Sequence, residues 1–294
     1  MKSAALQIGN FTFDWGSRTY VMGILNITPD SFSGDGIISK GEVIQAALSQ
    51  ADDFMACGAD VLDIGGESTR PGSAPVNTDE EMERVLPVIH AVHETFPDAL
   101  ISIDTYKAQV AEQAIRAGAR IVNDVWGLRA DPELANIAAK YKTPVILMHN
   151  RSNPASVDVR EKLGSAYIGS EYQNLIEDVK RELLESVALA KKAGIAESHI
   201  VLDPGIGFGK TREHNLELVN RLDEIRSLGY PILLGTSRKS FIGFTLDLPP
   251  DQRVEGTAAT ISVGIARGAD MIRVHDVKEM ARVAKMTDAI VRGA

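Results

Sequence analysis

A single cysteine, Cys57, occurs in 294 residues, so no disulfide framework can form within the chain. Its helix-like surroundings read it as a small buried apolar side chain. Positive charge is in the minority: 31 Lys and Arg stand against 40 Asp and Glu, for a net charge of −9 and a pI of about 5.2. That balance speaks against wholesale nucleic-acid binding, which needs a basic face. Any anionic substrate must be gripped by cations gathered locally against the overall field. No apolar run reaches the length of a membrane span. Residues 1–10 lack the basic stretch and apolar core of a secretory leader, so a cytoplasmic protein with no membrane partner is expected. Low-complexity and linker segments are also missing, and residues 1–294 read as one domain. Its hydrophobic share of 44% is ordinary for a soluble globular protein, and the chain is long enough to bury a large core without disulfides or structural metals.

What is present is a rhythm. From Thr19 onward, short apolar runs alternate with longer amphipathic ones: TYVMGILNIT, DVLDIG, LISIDT, RIVNDV, PVILMH, IVLDPG, PILLGTS and MIRVH. The runs are rich in Val, Ile and Leu and mostly lack alternation, as parallel strands buried on both faces do. The phrases ACGAD, RAGAR, KAGIA and ARGAD precede every second run. Each sets a glycine where a helix must end in a left-handed cap. Eight regular units favour a closed α/β fold, a single (β/α)8 TIM barrel, over an open doubly wound sheet. Residues 1–18 stand apart: LQIGNFTFDW alternates around a Gly-Asn turn and predicts a short N-terminal β-hairpin closing the barrel bottom. Helix starts are marked by Thr78 with Glu81 as a capping box, by Asp131 before Pro132, and by Asp276 with Glu279. Pro87 predicts a kink or a late start in the helix that Thr78 opens.

Barrels of this kind bind ligands at the C-terminal ends of their strands. Read in order, those ends carry Asn26, Asp63, Asp104, Asn123 with Asp124, His149, Asp203, Ser237 with Arg238 and Lys239, and lastly Arg273 with His275. One such residue can be a satisfied structural hydrogen bond; a ring of them is what a polar substrate requires. Asp104, Asn123 and Asp203 suit the donor-rich edge of a planar heterocycle. Arg273, His275, Arg70 and Lys239 suit phosphate. Asn26 offers a neutral oxygen, fitting for a magnesium ion (Mg2+) that keeps most of its waters. Two hydrophilic loops, TPDSFSGDG and GGESTRPGSAPV, follow the first two strands and could close over the site.

PGIGFGKT, residues 204–211, ends like a phosphate-binding P-loop, but Pro204 occupies the position where that motif needs glycine. Lys210 therefore reads as an exposed lysine at a helix start. His149 reads as a buttress for its loop, and His90, His93 and His214 as helix-surface residues. Trp15 and Trp126 read as packing at the barrel ends. Ser237 and Ser240 have no evident His-Asp partners, which argues against acyl transfer.

Taken together, MGILNITPDSFS, ADVLDIGGESTRPG, ISIDT, IVNDV, LMH, LDPGIGFGK, GTSRKSFIG, GTAAT and IRVHDV resemble the dihydropteroate synthase family over nearly the whole chain and in the family's order. The resemblance implies joining of a pterin pyrophosphate to p-aminobenzoate in folate biosynthesis. It implies that Asp104, Asn123, Asp203 and Lys239 hold the pterin with Met148 packed near it. Arg273 and His275 would hold the pyrophosphate, and Asn26 would touch magnesium and pyrophosphate. Thr69, Arg70 and Pro71, with Phe208 and Ser240, would meet p-aminobenzoate, where sulfonamides would compete. Asp104, Asp203, Lys239, Arg273 and His275 are the groups expected to carry the chemistry. A homodimer through the late helices is implied as well. The chain departs from the family in its first loop: Ser33-Gly34-Asp35-Gly36 replaces Ser-Asp-Gly-Gly and displaces the aspartate by one. Two other readings share the pocket. A pterin-dependent methyltransferase would keep the Asp and Asn residues but needs neither ESTRPG nor the SRK segment, and requires a corrinoid partner. A non-catalytic pterin-binding paralogue would be expected to lose Asn26, Arg273 or His275, all of which are present.

Overall fold

In the computed structural model, residues 4–28, 40–160 and 162–293 are described. The displaced Asp35 and most of the first loop lie outside them. The chain opens with a hairpin, β1 (Leu6–Ile8) and β2 (Phe11–Phe13), paired antiparallel around Gly9 and Asn10. Eight parallel strands follow. They are β3 (Tyr20–Asn26), β4 (Val61–Gly65), β5 (Ile101–Asp104), β6 (Ile121–Asp124) and β7 (Val145–Met148). After an antiparallel hairpin, β8 (Val157–Arg160) with β9 (Gly164–Tyr167), come β10 (Ile200–Asp203), β11 (Leu233–Leu234) and β12 (Met271–Val274). The order in the sheet is β10-β7-β6-β5-β4-β3-β12-β11. Its two ends meet through a parallel bridge between Leu202 and Ile232, where the Leu202 N–H donates to the Pro231 carbonyl at 2.9 Å. The eight expected runs are thus the eight barrel strands, and the sheet has no free edge at that point.

The helices alternate with these strands: α1 (Lys40–Ala56), α2 (Thr78–Thr95), α3 (Ala108–Ala117), α4 (Glu133–Tyr141), α5 (Leu175–Ala193), α6 (Arg212–Asn220) and α7 (Leu222–Arg226). The last three are α8 (Ser240–Leu246), α9 (Val254–Ala266) and α10 (Val277–Val291). The repeated phrases do what their glycines predict: Gly58, Gly118, Gly194 and Gly268 all have φ between 97° and 131°, which a Cβ would strain. Cys57 is half-buried rather than fully buried, packed beside the α9–α10 cluster.

Local capping departs from expectation in three places. Asn77, not Thr78, caps α2: its side-chain oxygen accepts from the Glu80 N–H at 2.9 Å, and the helix runs on through Pro87. Asp276 precedes α10 but makes no side-chain cap, because its carboxylate is committed to Arg238. Asp131 stands one residue ahead of the N-cap of α4, Pro132, and its carboxylate accepts from the Glu133 N–H at 3.1 Å and from the start of α3, the Ala108 N–H, at 2.8 Å.

At the barrel bottom, Leu6, Phe13 and Trp15 pack on Tyr20, Met22, Val61, Leu100, Ile121, Ile146, Val201, Leu233 and Met271. Phe13 stacks on Trp15 at 4.7 Å, and Tyr20 meets both rings edge-on. The first hairpin therefore plugs the barrel end where the strands begin. Trp126, by contrast, is only half-buried, at the exit of β6.

Candidate active site

The opposite end of the barrel is polar. Parallel pairing sets Asn26 beside Gly65, Gly65 beside Asp104, Asp104 beside Asn123, and Met148 beside Asp203. Gly65 keeps this row open, since a Cβ there would meet Asp104 Cβ at 3.4 Å and stand 3.8 Å from Asn26 Oδ1. Gly235 does the same on the far side, where a Cβ would lie within 4 Å of Asp203 Oδ2, Lys239 Nζ and Arg273 Cβ.

Arg273 sits at the centre. Its Nε donates to Asp63 Oδ2 and its Nη2 to Asp104 Oδ2, each at 2.6 Å. Asn123 Nδ2 donates to the same Asp63 oxygen at 3.1 Å. Burial works against the Arg273 charge, but Asp63 and Asp104 outweigh it and hold the guanidinium protonated. Burial also drives Asp104 well above the usual carboxylate range, with Arg273 opposing. Asp63 stood at a strand end in the sequence but received no role there. Fully buried, it orients both Arg273 and Asn123, so Asn123 keeps its amide oxygen and one N–H to offer a ligand. The signal was available: a carboxylate inside the apolar run VLDIG.

Asp203 Oδ1 accepts from the Gly205 N–H at 2.7 Å, while Oδ2 faces the Lys239 side. Burial raises the Asp203 carboxyl against the pull of Lys239, and burial lowers the Lys239 amine to about 8 against the pull of Asp203. Lys239 also donates to the Ile206 carbonyl and lies 4.8 Å over the Phe208 ring. A strained turn aims it there. Arg238 has φ 56°, a conformation that costs a non-glycine residue about 1–3 kcal/mol. Asp276, Thr257 Oγ1 and Arg253 hold it, the last through the Arg238 carbonyl. Arg238 thus turns out to Asp276 and Lys239 turns in, with Ser240 starting α8 beside it.

His275 Nδ1 is 3.0 Å from Ser237 Oγ. Burial first, then the charges of Arg273, Arg238 and Arg70, lower its pKa to about 3. The imidazole is therefore neutral in the free protein, and the cationic work falls to the arginines and Lys239. Arg70 itself is exposed, and Thr69 and Pro71 are half-buried.

Lys210 contradicts the sequence reading most sharply. Only 3% exposed, its amine donates inward to the Gly205 carbonyl at 2.8 Å, the Phe208 carbonyl at 3.0 Å and His149 Nδ1 at 2.9 Å. Three acceptors match three ammonium donors, so we assign the ammonium form, although burial pulls the pKa down. His149 is then neutral, its pKa lowered to about 3 by burial and Lys210, with Nε2–H directed at Glu182 3.1 Å away. It buttresses its loop, as expected. Gly205 closes the device: at φ 68° a Cβ would collide with the His149 carbonyl oxygen. The P-loop resemblance fails on the same geometry, because the lysine turns away from any ligand. His214 is also more than a surface residue. It completes the capping box of α6 with Thr211 and meets Tyr172 edge-on at 5.1 Å.

Among the described residues no three His, Cys, Asp or Glu side chains gather to hold a metal. The one amide oxygen of Asn26 fits only a cation that draws most of its ligands from water and a phosphorylated substrate, as magnesium does.

Comparison with known proteins decides among the readings of this pocket. The family model of pterin binding enzymes matches residues 22–275. The chain is 52% identical over 288 residues to the dihydropteroate synthase of Clostridium beijerinckii, covering 98% of this chain and 100% of that one. The chain belongs to the dihydropteroate synthase family. The dihydropteroate synthase of Bacillus subtilis is 49% identical to it, over 93% of this chain and 89% of the relative. Two solved dihydropteroate synthases superimpose with TM-scores of 0.86. One, from Clostridium difficile in the presence of pteroic acid, is 48% identical over 95% of this chain and 99% of that one. The other, from Yersinia pestis in complex with a sulfonamide drug, is 40% identical over 99% of this chain and all of that one. Dihydropteroate synthases at this identity do not favour the methyltransferase or the non-catalytic reading.

Proposed function

We infer that the chain condenses 6-hydroxymethyl-7,8-dihydropterin pyrophosphate with p-aminobenzoate to give 7,8-dihydropteroate and pyrophosphate in folate biosynthesis. The observation that carries this is the division of the barrel mouth: Asp104, Asn123 and Asp203 line one side, and Arg273 joins them to His275 and Asn26 on the other. Asp203, Asn123 and Lys239 bind the pterin edge, with Met148 against it. Arg273, which donates to Asp63 and Asp104, would stand where pterin and pyrophosphate meet.

The C–O bond to pyrophosphate breaks first, its electron pair leaving with the anion. The carbon left behind is stabilised by the electron-rich pterin and by the negative field of Asp104 and Asp203. Arg273 and His275 steady the departing anion, His275 as a neutral hydrogen-bonding partner that gains a proton more readily once the anion is near. Asn26 would hold magnesium, which supplies neutralising charge to the leaving group when bound. The neutral arylamine of p-aminobenzoate, seated by Thr69, Arg70, Pro71, Phe208 and Ser240, then forms the C–N bond with its lone pair, and the resulting arylammonium passes one proton to water. Sulfonamides would compete for that seat. No covalent nucleophile is required.

A homodimer through the late helices is supported by Val263 of α9 and Met286, Ile290 and Val291 of α10, which stand 43–70% exposed. No helix among the described residues is long and apolar enough to cross a membrane, in keeping with a cytoplasmic enzyme. The test is pyrophosphate release from the pterin substrate with magnesium, with and without p-aminobenzoate. Release coupled to dihydropteroate formation is expected. Pterin binding without turnover would overturn the reading.

A further inference from the structure

The segment after β7 carries the β8–β9 hairpin at the mouth of the barrel, where Tyr167 meets Thr69 and Phe208. We propose that this hairpin is a fixed strap that positions the arylamine side of the site through Tyr167, which ties the 66–77 loop to the loop of Phe208. The proposal rests on the reading that Thr69–Pro71 and Phe208 flank p-aminobenzoate.

The strap is built from four antiparallel pairs, Val157 with Tyr167 through Arg160 with Gly164. Its far end is anchored away from the site. Arg253, 2% exposed, donates Nη2 to the Leu163 carbonyl at 2.7 Å, and the Arg160 guanidinium lies 4.1 Å over the Phe244 ring of α8. Its exit is sewn to the 204–210 loop by Ser170 N–H, which donates to the Gly209 carbonyl at 3.0 Å. Fixed at both ends, the hairpin presents Tyr167 at its base. The phenol donates to the Thr69 carbonyl at 3.1 Å, and its ring lies 5.9 Å from that of Phe208 at 33°. One side chain therefore bridges two segments that lie far apart in sequence. The entrance to the 66–77 loop is held separately, by the ion pair of Glu67 with Lys107. Tyr167 fixes its middle, where Thr69, Arg70 and Pro71 stand. A bridge that orders the loop in advance lowers the entropy lost when the second substrate binds.

Tyr167 is thus a positioning residue, and its loss should separate the two substrates. In the full-length enzyme, Tyr167→Phe removes the phenol's polar contacts, the bond to the Thr69 carbonyl and the contact with the Ser152 side chain, while keeping the ring; Tyr167→Leu removes the ring contact as well. The Phe variant should raise KM for p-aminobenzoate roughly threefold to tenfold, the effect of one hydrogen bond, and the Leu variant more. KM for the pterin substrate and kcat should stay at the wild-type level in the Phe variant. Unchanged KM for p-aminobenzoate in both variants would overturn the strap. So would a parallel change in both KM values and kcat, which marks general distortion. Wild-type protein that forms no dihydropteroate would instead overturn the functional reading beneath it.

Discussion

The two ends of the barrel are built from the same eight strands and differ in almost every physical respect. At the bottom, Phe13, Trp15, Tyr20 and Met22 lie in a dry cluster with the first residues of the strands. At the top, Asp63, Asp104, Asn123 and Asp203 are each less than 10% exposed yet charged or polar. The bottom gains stability from apolar burial. The top gives stability up: burial raises the Asp104 and Asp203 carboxyls and lowers the Lys239 amine, so these groups are held ionised at a cost offset by their neighbours. That arrangement is what a reacting charge needs, since fixed ions in a water-poor site need not reorganise during the reaction. One end therefore maintains the fold and the other maintains the chemistry.

The comparison breaks most visibly at Arg273, the one side chain on which both properties converge. Arg273→Ala leaves Asp63 and Asp104 buried without their counter-ion, which should destabilise the fold by about 3–5 kcal/mol. It should also lower kcat/KM by about 100-fold to 1,000-fold; chemical denaturation and steady-state assays would check the pair. At the bottom the two effects should separate. Trp15→Ala removes a fully buried indole and should lower stability by about 3–5 kcal/mol. The kcat/KM of the folded fraction should be unaltered, and a large fall in it would mean that the plug reaches the site. The smallest effect is a pH limb. With burial holding the Lys239 amine near 8, it is charged below that pH and loses its proton as pH rises through it. The kcat/KM for the pterin substrate should fall above about pH 8, and the limb in kcat should lie higher, because an anionic ligand favours the charged amine. A flat profile through pH 9 would remove Lys239 from pterin binding.

How much of this was legible follows the same division. Apolar runs name the strands because a barrel strand is buried on both faces, and the recurrent glycines name the helix ends because positive φ is a backbone demand. Strand-end residues were legible as a ring since the fold puts those positions together. The roles of Asp63 and Lys210 were not, because each depends on a partner distant in sequence: Arg273 for one, the His149 side chain for the other. A lysine after Phe208-Gly209 looks exposed until the loop is seen to curl around it. The β8–β9 hairpin was also hidden, since VDVR carries no continuous apolar run and its partner GSAY is short. Asn77 was passed over for Thr78 because both can cap and the sequence alone does not fix the first helical residue.

The central claim, that buried charge at the barrel mouth serves the reaction and not the fold, is tested most directly by Asp203→Asn. Dihydropteroate formation and thermal unfolding would be measured on the same preparation. The account predicts that the rate falls by about 100-fold or more while stability falls far less than in Arg273→Ala, because Lys239, with its amine near 8, can shed the charge that Asp203 leaves unpaired. A variant that loses stability in step with activity, or that keeps its rate, would contradict it.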